Sequence, residues 1–563
     1  MKKRLLLILV LAAVCVPPAM GQLANQNKEG LDVYSIQRIL RLDEDEIDLG
    51  TAALVISRNW GADKTLYRYR DKLDDMANDI LKRLGDKNLR VDFRAIEVIN
   101  NYLFEELGYQ TVETAEDPED LFLHTVIDHK RGYCLSLSML YLAIAERLDL
   151  PLYGVVVPGH FFVRYDDKIR SFNIETTSKG RNAPDEHYIE KFKPPRNENS
   201  IYLKNLTRKQ TLGCFFNNLG NSYADFGEYD IAQERLESAV IINPSLAEAH
   251  TNLGNIYLRK GMSNDAIDQY LWSLKIVNTD HKTHNNLGNA YASIDLLSKA
   301  IFSYNQSIQL DPDFVDAYKN LASAYLKQKL YSRAVAELKK AERIKSDDSS
   351  IYAQLGEVYH AKGDFGTAIE YFKQSLAIKV DAPLVLTSLG WAYMENQMLD
   401  EAILYFSAAV GRDPQQINAW FGLANAYKKG GWSDDEIDTY LRLLEVDPAN
   451  VAAMQNLGNA YMTKQDYKAA EELYRSAVEL EPKNSGLHYN LGLAYASMES
   501  YEQALEQQMA AVQLDAKNGP AHNALAVNYY MLKDNDMAEE HVKIAQRLGV
   551  EVQDKLLKAL KIK

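Results

Sequence analysis

Cysteine is nearly absent from this chain, with three in 563 residues. Cys15 falls in an N-terminal apolar run, which leaves Cys134 and Cys214 for the rest of the chain. In an oxidising compartment these two either pair or leave a free thiol. Blocks of basic charge are lacking as well. Lys and Arg number 63 against 78 Asp and Glu, and the net charge of −15 is spread along the chain. An acidic chain without a basic cluster is a poor partner for nucleic acid or an anionic membrane. Long apolar runs are confined to the start. Leu5–Val16 is a 12-residue run, short of the roughly 20 residues that cross a bilayer. No later segment is apolar and long enough to span.

That first run reads as part of an export signal over residues 1–21. Lys2, Lys3 and Arg4 precede it, Pro17 and Pro18 break it, and Ala19-Met20-Gly21 offers small residues at the cleavage subsites. The mature chain is then expected to begin at Gln22, outside a bacterial cytoplasm, periplasmic or secreted. Losing three basic residues takes its net charge from −15 to −18. An uncleaved anchor and a lipoprotein at Cys15 are the alternatives, although Val14 stands where a lipoprotein signal wants a small residue. What remains is ordinary globular material, 47% hydrophobic and 25% charged.

A spacing of 34 residues organises the C-terminal two-thirds. Tyrosine recurs at Tyr223, Tyr257, Tyr291, Tyr325, Tyr359, Tyr393, Tyr427, Tyr461, Tyr495 and Tyr529. Four residues before each stands a Leu, from Leu219 to Leu525, followed by Gly or Ala. Nine residues after each stands an Ala, from Ala232 to Ala538, except at Glu436. Pro244, Pro312, Pro414, Pro448 and Pro482 close units. Leu and Tyr four apart share a helix face. The small residues let a second helix approach, and proline cannot continue a helix. The pattern resembles the tetratricopeptide (TPR) repeat. Ten copies are expected over 213–551, with a capping helix over 552–563. Repeat seven departs most, through Glu436 and Leu443, and its packing is expected to be looser.

The residue before the signature Leu is Asn in six repeats: Asn218, Asn252, Asn286, Asn320, Asn456 and Asn490. In a TPR superhelix that position faces the groove. An Asn amide both accepts and donates, so a column of them suits an extended peptide backbone. This resembles the asparagine ladder of the O-linked N-acetylglucosamine transferases. The competing reading is a soluble choice at a helix surface. His250, His284, His488 and His522 recur three residues before the Leu, where Trp420 and Tyr318 stand elsewhere, and are read as packing residues rather than metal ligands. No cofactor and no metal is called for.

The region 33–180 has a different pattern. Asp48–Ile56, Leu66–Leu84 and Ala95–Leu107 read as helices. Arg131-Gly132-Tyr133-Cys134 leads into a helix whose Leu135, Met139 and Leu142 form one stripe. A thiol opening a helix meets free N–H groups and the positive end of the dipole, which favour thiolate. Tyr153–Val157 reads as a strand, and His160–Tyr165 with Ile169–Glu175 as a hairpin turning at Asp167-Lys168. That two-residue loop pairs Asp166 with Ile169 and puts His160 opposite Glu175, with Asn173 diagonal to His160. His124, Asp128 and His129 read as a solvated helix end. Residues 181–212, with Pro184, Pro194 and Pro195, read as a linker, and Cys214 as a packing residue of the first repeat.

A Gly-x-Cys helix start, a strand opening with His, and an acid 15 residues on resemble the transglutaminase-like superfamily, whose fold overlaps the papain-like proteases. The SirB-type branch is the nearer likeness, through Tyr102–Gly108, Asp117–Asp120, Arg131-Gly132, Ser136–Leu142, Ala145–Leu148 and Pro158–Phe161. The resemblance implies Cys134 as nucleophile, His160 as base and Glu175 as the orienting acid. Two departures stand out: many members of the branch carry Pro where Cys134 stands, and active transglutaminases carry Asp where Glu175 stands. The expected fold is mainly α: an α+β transglutaminase-like domain followed by an α-solenoid of TPR repeats. Its partners are proteins or extended peptides. Two functional readings follow, a scaffold whose N-terminal domain also hydrolyses or transfers amides through a Cys134 thioester, and a scaffold whose N-terminal domain only binds.

Overall fold

The structure, a computed structural model, describes residues 23–57, 64–112, 118–195 and 200–562. The expected export signal lies outside the described residues. The chain divides into two compact units, 1–324 and 325–563. The first holds the N-terminal domain and the opening repeats. The second holds the later repeats.

In the first unit a central helix organises the domain. We label the elements α1 (Leu49–Ser57), α2 (Lys64–Asp86), α3 (Ala95–Asn100, running on as a π-helical turn to Glu106), α4 (Leu123–His129) and α5 (Cys134–Arg147). Twelve of the fourteen residues of α5 are buried, so this helix is apolar all round and sits between layers. Helices α1, α2 and α4 pack on it from one side and a small sheet from the other. Its far end is pinned by charge. Arg147, wholly buried, reaches Asp48 at 3.5 Å and Asp74 at 2.5 Å. Asp48 also caps α1, accepting the Thr51 N–H at 2.7 Å.

The sheet is an antiparallel meander of β1 (Leu152–Val157), β2 (His160–Asp166) and β3 (Ser171–Ile174). Phe161, Val163, Tyr165 and Ile174 point into the main core, while Val155, Val157 and Phe162 pack with Tyr188 on the other face. Both faces are covered, which explains why β2 is buried without alternation from Phe161 to Tyr165. The hairpin register differs from the sequence expectation by two residues. Asp166 pairs with Ser171, not Ile169, and the loop is four residues long, Asp167–Arg170. The cause is the Asp167 side chain, whose Oδ1 accepts the N–H groups of Ile169 (2.9 Å) and Arg170 (2.6 Å) and builds a wider turn. Asn173 therefore faces Arg164, whose Nε it accepts at 2.7 Å, and is not a neighbour of His160.

The segment expected as a linker is packed onto this domain. Helix α6 (Asp185–Phe192) lies on the sheet with Tyr188 buried. Leu203 and Leu206 then donate their N–H groups to Val156 (3.1 Å) and Gly154 (2.9 Å) along the edge of β1. Pro184 marks the N-cap of α6 rather than a flexible joint. The first repeat follows as α7 (Arg208–Asp225) and α8 (Tyr229–Ile242), the second as α9 (Ala247–Arg259) and α10 (Ser263–Ile276). Leu212, Phe215, Phe216 and Leu219 of α7 share one continuous apolar core with α1, α5 and the inner face of the sheet.

The repeats are antiparallel helix pairs of 13 or 14 residues beyond the longer α7. Where Gly stands beside the signature Leu, it is needed for close approach. A Cβ on Gly254 would lie 2.6 Å from Tyr270, and on Gly288 2.4 Å from Tyr304. The recurring His residues have a common structural task. His250, His284, His488 and His522 place Nε2 within 3.0–3.3 Å of the carbonyl six residues upstream. Tyr318, Tyr352 and Trp420 donate to the equivalent carbonyl. Any ring with a donor at its far edge serves there.

In the second unit, Glu436 stays buried at its small-residue position, and burial pushes its carboxyl pKa up. A cleft of about 410 Å³ opens beside it, lined by Trp420, Tyr427 and Thr439. The last repeat is closed by Asp554–Ala559, whose Leu556 packs with Val552, Val542 and Ala545.

Candidate active site and peptide groove

Cys134 is the first residue of α5 and is half-buried. Tyr133 caps the helix, and its N–H donates to Ser136 Oγ at 2.9 Å. That local turn requires Gly132, because a Cβ there would lie 2.7 Å from Ser136 Oγ. Helix start and strand end are then tied together. Thr176 Oγ1 reaches Ser138 Oγ at 3.0 Å and the Cys134 carbonyl at 3.4 Å.

His160 opens β2, directly after the Pro158-Gly159 turn. Its Nε2 lies 2.7 Å from Glu175 Oε2, which leaves Nδ1 free to face the cleft it shares with Cys134. The shifted register does not separate His160 from Glu175. A slip of two residues keeps a side chain on the same face, and the diagonal neighbour is within reach of long side chains. The imidazole also stacks on Phe192, 5.0 Å between ring centres and 3° from parallel.

Glu175 is buried and surrounded by donors. Besides His160 it accepts from Tyr188 Oη at 3.0 Å, from the Thr177 N–H at 3.1 Å and from the Thr177 hydroxyl. Burial would raise its pKa, but His160 and Thr177 outweigh that and hold it below the ordinary carboxylate range. Burial would likewise lower the His160 pKa. The neighbouring Cys134 and the hydrogen-bonded Glu175 carboxylate prevail and raise it to about 9. Tyr188 and Phe192 were missed in the sequence because they fall in the presumed linker; their spacing of four, on one helix face, was the available signal.

Of the six groove asparagines, Asn218, Asn252, Asn286 and Asn320 lie in the first unit, and Asn456 and Asn490 in the second. All six are half-buried. Asn252, Asn286 and Asn320 each donate Nδ2 to another Asn, namely Asn217 (3.0 Å), Asn255 (2.9 Å) and Asn285 (2.9 Å). The amides are thus held in fixed orientation, with one N–H of each already committed. Asn218 and Asn252 line a cleft of about 720 Å³ that also holds Cys134 and His160. His124 stacks on Phe122 at 5.5 Å, and Asp128 accepts from Tyr69 and Lys72, so this helix end is engaged in local packing. Cys214 is buried, and burial pushes its thiol pKa up. Among the described residues no helix is long and apolar enough to cross a membrane.

These features define a two-part protein, a transglutaminase-like domain followed by TPR repeats. Residues 67–212 match the transglutaminase-like superfamily, and that match runs through the segment expected as a linker. TPR-repeat and tetratricopeptide-repeat families match 220–261, 297–329, 315–348, 349–379, 387–451, 458–499 and 485–518. A UPF0162 protein of Xylella fastidiosa, from the SirB-like group, is 28% identical over 225 residues, covering 37% of this chain and 76% of the relative. F-box only protein 21 of Pongo abelii is 30% identical over 88 residues, 15% of this chain and 14% of that protein. Among solved structures, MamA is 29% identical over 29% of this chain and 96% of its own, with a TM-score of 0.27. YrrB, described as a TPR protein with an unusual peptide-binding site, is 20% identical over 33% of this chain and 95% of its own, with a TM-score of 0.28.

The raised His160 pKa has a consequence for stability. A group whose pKa rises from 6.5 to about 9 on folding stabilises the fold fully below 6.5 and loses that contribution as the pH climbs through 9. His160→Gln should therefore cost roughly 2–3 kcal/mol at pH 6 and much less at pH 10. Urea unfolding at the two pH values checks this, and an equal cost at both would show that the imidazole is not held charged.

Proposed function

We propose that the protein holds an extended protein segment along the concave face of its first repeats and acts on an amide of that segment through Cys134. The observation that carries this reading is the shared cleft of about 720 Å³, which receives Cys134 and His160 from one side and Asn218 and Asn252 from the other. A peptide paired with the asparagine amides would run past the thiol.

The chemistry follows from the charges. His160 already holds the proton as an imidazolium that ionised Glu175 stabilises, and Cys134 acts beside it as the thiolate of that ion pair. Thiolate attacks the amide carbonyl, forming a C–S bond. The first-turn N–H groups of α5, unpaired within the helix, face the developing oxyanion. His160 gives its proton to the departing amine, and a thioester remains on Cys134. Water or a second amine then attacks the thioester, His160 accepts the proton of the nucleophile, and the ion pair is regenerated. Water gives hydrolysis and an amine gives acyl transfer.

Iodoacetamide kinetics test the chemistry. At pH 6 Cys134 should react faster than a simple thiol titrating near about 8.5. His160→Ala should slow it by about tenfold or more and Glu175→Gln by less. Reaction at the rate of the simple thiol would leave the protein a binding scaffold.

The same reading puts the protein outside the cytoplasm, behind a leader at residues 1–21. N-terminal sequencing of the exported chain should read Gln-Leu-Ala-Asn. An intact Met1 or a lipid-bearing Cys15 would contradict it.

A further inference from the structure

The Glu175 oxygen that meets His160 is shared. Oε2 accepts from His160 Nε2 at 2.7 Å and from the Tyr188 hydroxyl at 3.0 Å, while Oε1 is taken by Thr177. Tyr188 is fully buried. Burial and the Glu175 charge push its phenol pKa up, so it remains a proton donor. The hydroxyl is brought to this oxygen by α6, and α6 is itself held by the sheet. Asp185, its first residue, accepts from Arg164 Nη2 at 2.5 Å and from Asn173 Nδ2 at 2.8 Å. Arg164 is buried on β2 and Asn173 on β3. The Tyr188 ring lies on Phe162 of β2, 3.9 Å between ring centres and 10° from parallel. Polar contacts at the start of α6 and ring stacking one turn later fix the reach of the phenol. Asp185 and Arg164 also act on Tyr188, but they are paired with each other. Cys134 is the other titratable group that acts on His160.

Building on the proposal that Cys134 attacks an amide, we infer that Tyr188 is a positioning residue that sets how tightly His160 holds its proton, acting through the shared oxygen of Glu175. The reaction makes two opposed demands on that proton. The imidazolium has to persist beside the thiolate, and a bare buried carboxylate favours this. It then has to release the proton to the departing amine, and a bare carboxylate opposes this. A hydrogen bond to Oε2 draws negative charge off the atom that faces the imidazolium. Tyr188 therefore loosens the grip of Glu175 on the proton while leaving the carboxylate charged. The phenol does this from outside the cleft, where it touches no bound segment.

Tyr188→Phe removes the hydroxyl and keeps the ring stack. The full mature chain is labelled with carbon-13 histidine, and the His160 signal, identified by its loss in His160→Gln, is followed through a pH titration. Without the hydroxyl, His160 should hold its proton about threefold to tenfold more tightly, the weight of one hydrogen bond. A purely structural phenol gives the opposite sign, because loosened packing admits water and returns the imidazole toward its ordinary affinity. A monofluorinated tyrosine at position 188, a stronger donor of the same shape, should weaken the hold on the proton and serves if Tyr188→Phe folds poorly. An unchanged or weaker proton affinity in Tyr188→Phe, or an unchanged one with the fluorinated ring, overturns the inference. Iodoacetamide separates this from failure of the amide reading. Fast alkylation of Cys134 in the unaltered chain with an unmoved His160 sinks the role of Tyr188 alone. Alkylation at the rate of a simple thiol sinks both, since no ion pair then exists to be tuned.

Discussion

Everything at the candidate site depends on one packing event, the burial of the first repeat helix in the core of the N-terminal domain. Phe215 and Phe216 are fully buried, and with Leu212 and Leu219 they join a single apolar cluster with α1, α5 and the sheet. Each such side chain contributes about 1.5–3 kcal/mol of burial. The domain is not closed until α7 is in place, and the opening repeats have no independent start. The wall of the cleft that carries Asn218 and the wall that carries Cys134 are therefore two faces of one core. A flexible joint between them would have left the thiol and the groove unrelated.

A second constraint acts inside that core. Glu175 is charged and buried, and a buried charge is tolerated only when donors surround it. His160, Tyr188 and Thr177 supply them. Tyr188 comes from α6, so the helix that covers the outer face of the sheet also completes the carboxylate's shell. Phe192, one turn on, stacks against the imidazole and confines its rotation. The geometry of the histidine is thus set by packing from one side and by charge from the other. Arg147 performs the corresponding task at the far end of α5 through Asp48 and Asp74, so the helix that opens with Cys134 is anchored at both ends.

Much of this was legible in the sequence, for physical reasons. The repeat period survives because every unit solves the same close-packing problem, Gly254 against Tyr270 and Gly288 against Tyr304. The start of α5 was readable because Gly132-Tyr133-Cys134 precedes an apolar run. The pairing of His160 with Glu175 was reached through a register that was wrong by two, and it survived because strand faces repeat every two residues. The error lay in Asp167, whose side chain builds a turn that backbone rules alone do not foresee. Residues 181–212 were misjudged because prolines and mixed charge look alike in a linker and in a segment bound to a sheet edge. The recurring histidines read correctly as structural, but the shared acceptor, a carbonyl six residues upstream, needs the turn geometry to be seen. The asparagine column was visible, whereas its partners Asn217, Asn255 and Asn285 were not, since no single offset relates each donor to its acceptor.

The shared core is the claim on which the site rests, and hydrogen exchange on a Phe216→Ala chain addresses it directly. Truncating a fully buried Phe costs about 3–5 kcal/mol. If α7 is part of the domain core, amide protection should fall in α1 and α5 as well as in the first repeat, by a similar free energy. Loss of protection confined to α7 and α8, with α5 exchanging as in the unaltered chain, would mean that the transglutaminase-like domain stands without the repeats and that the common cleft is not built into the fold.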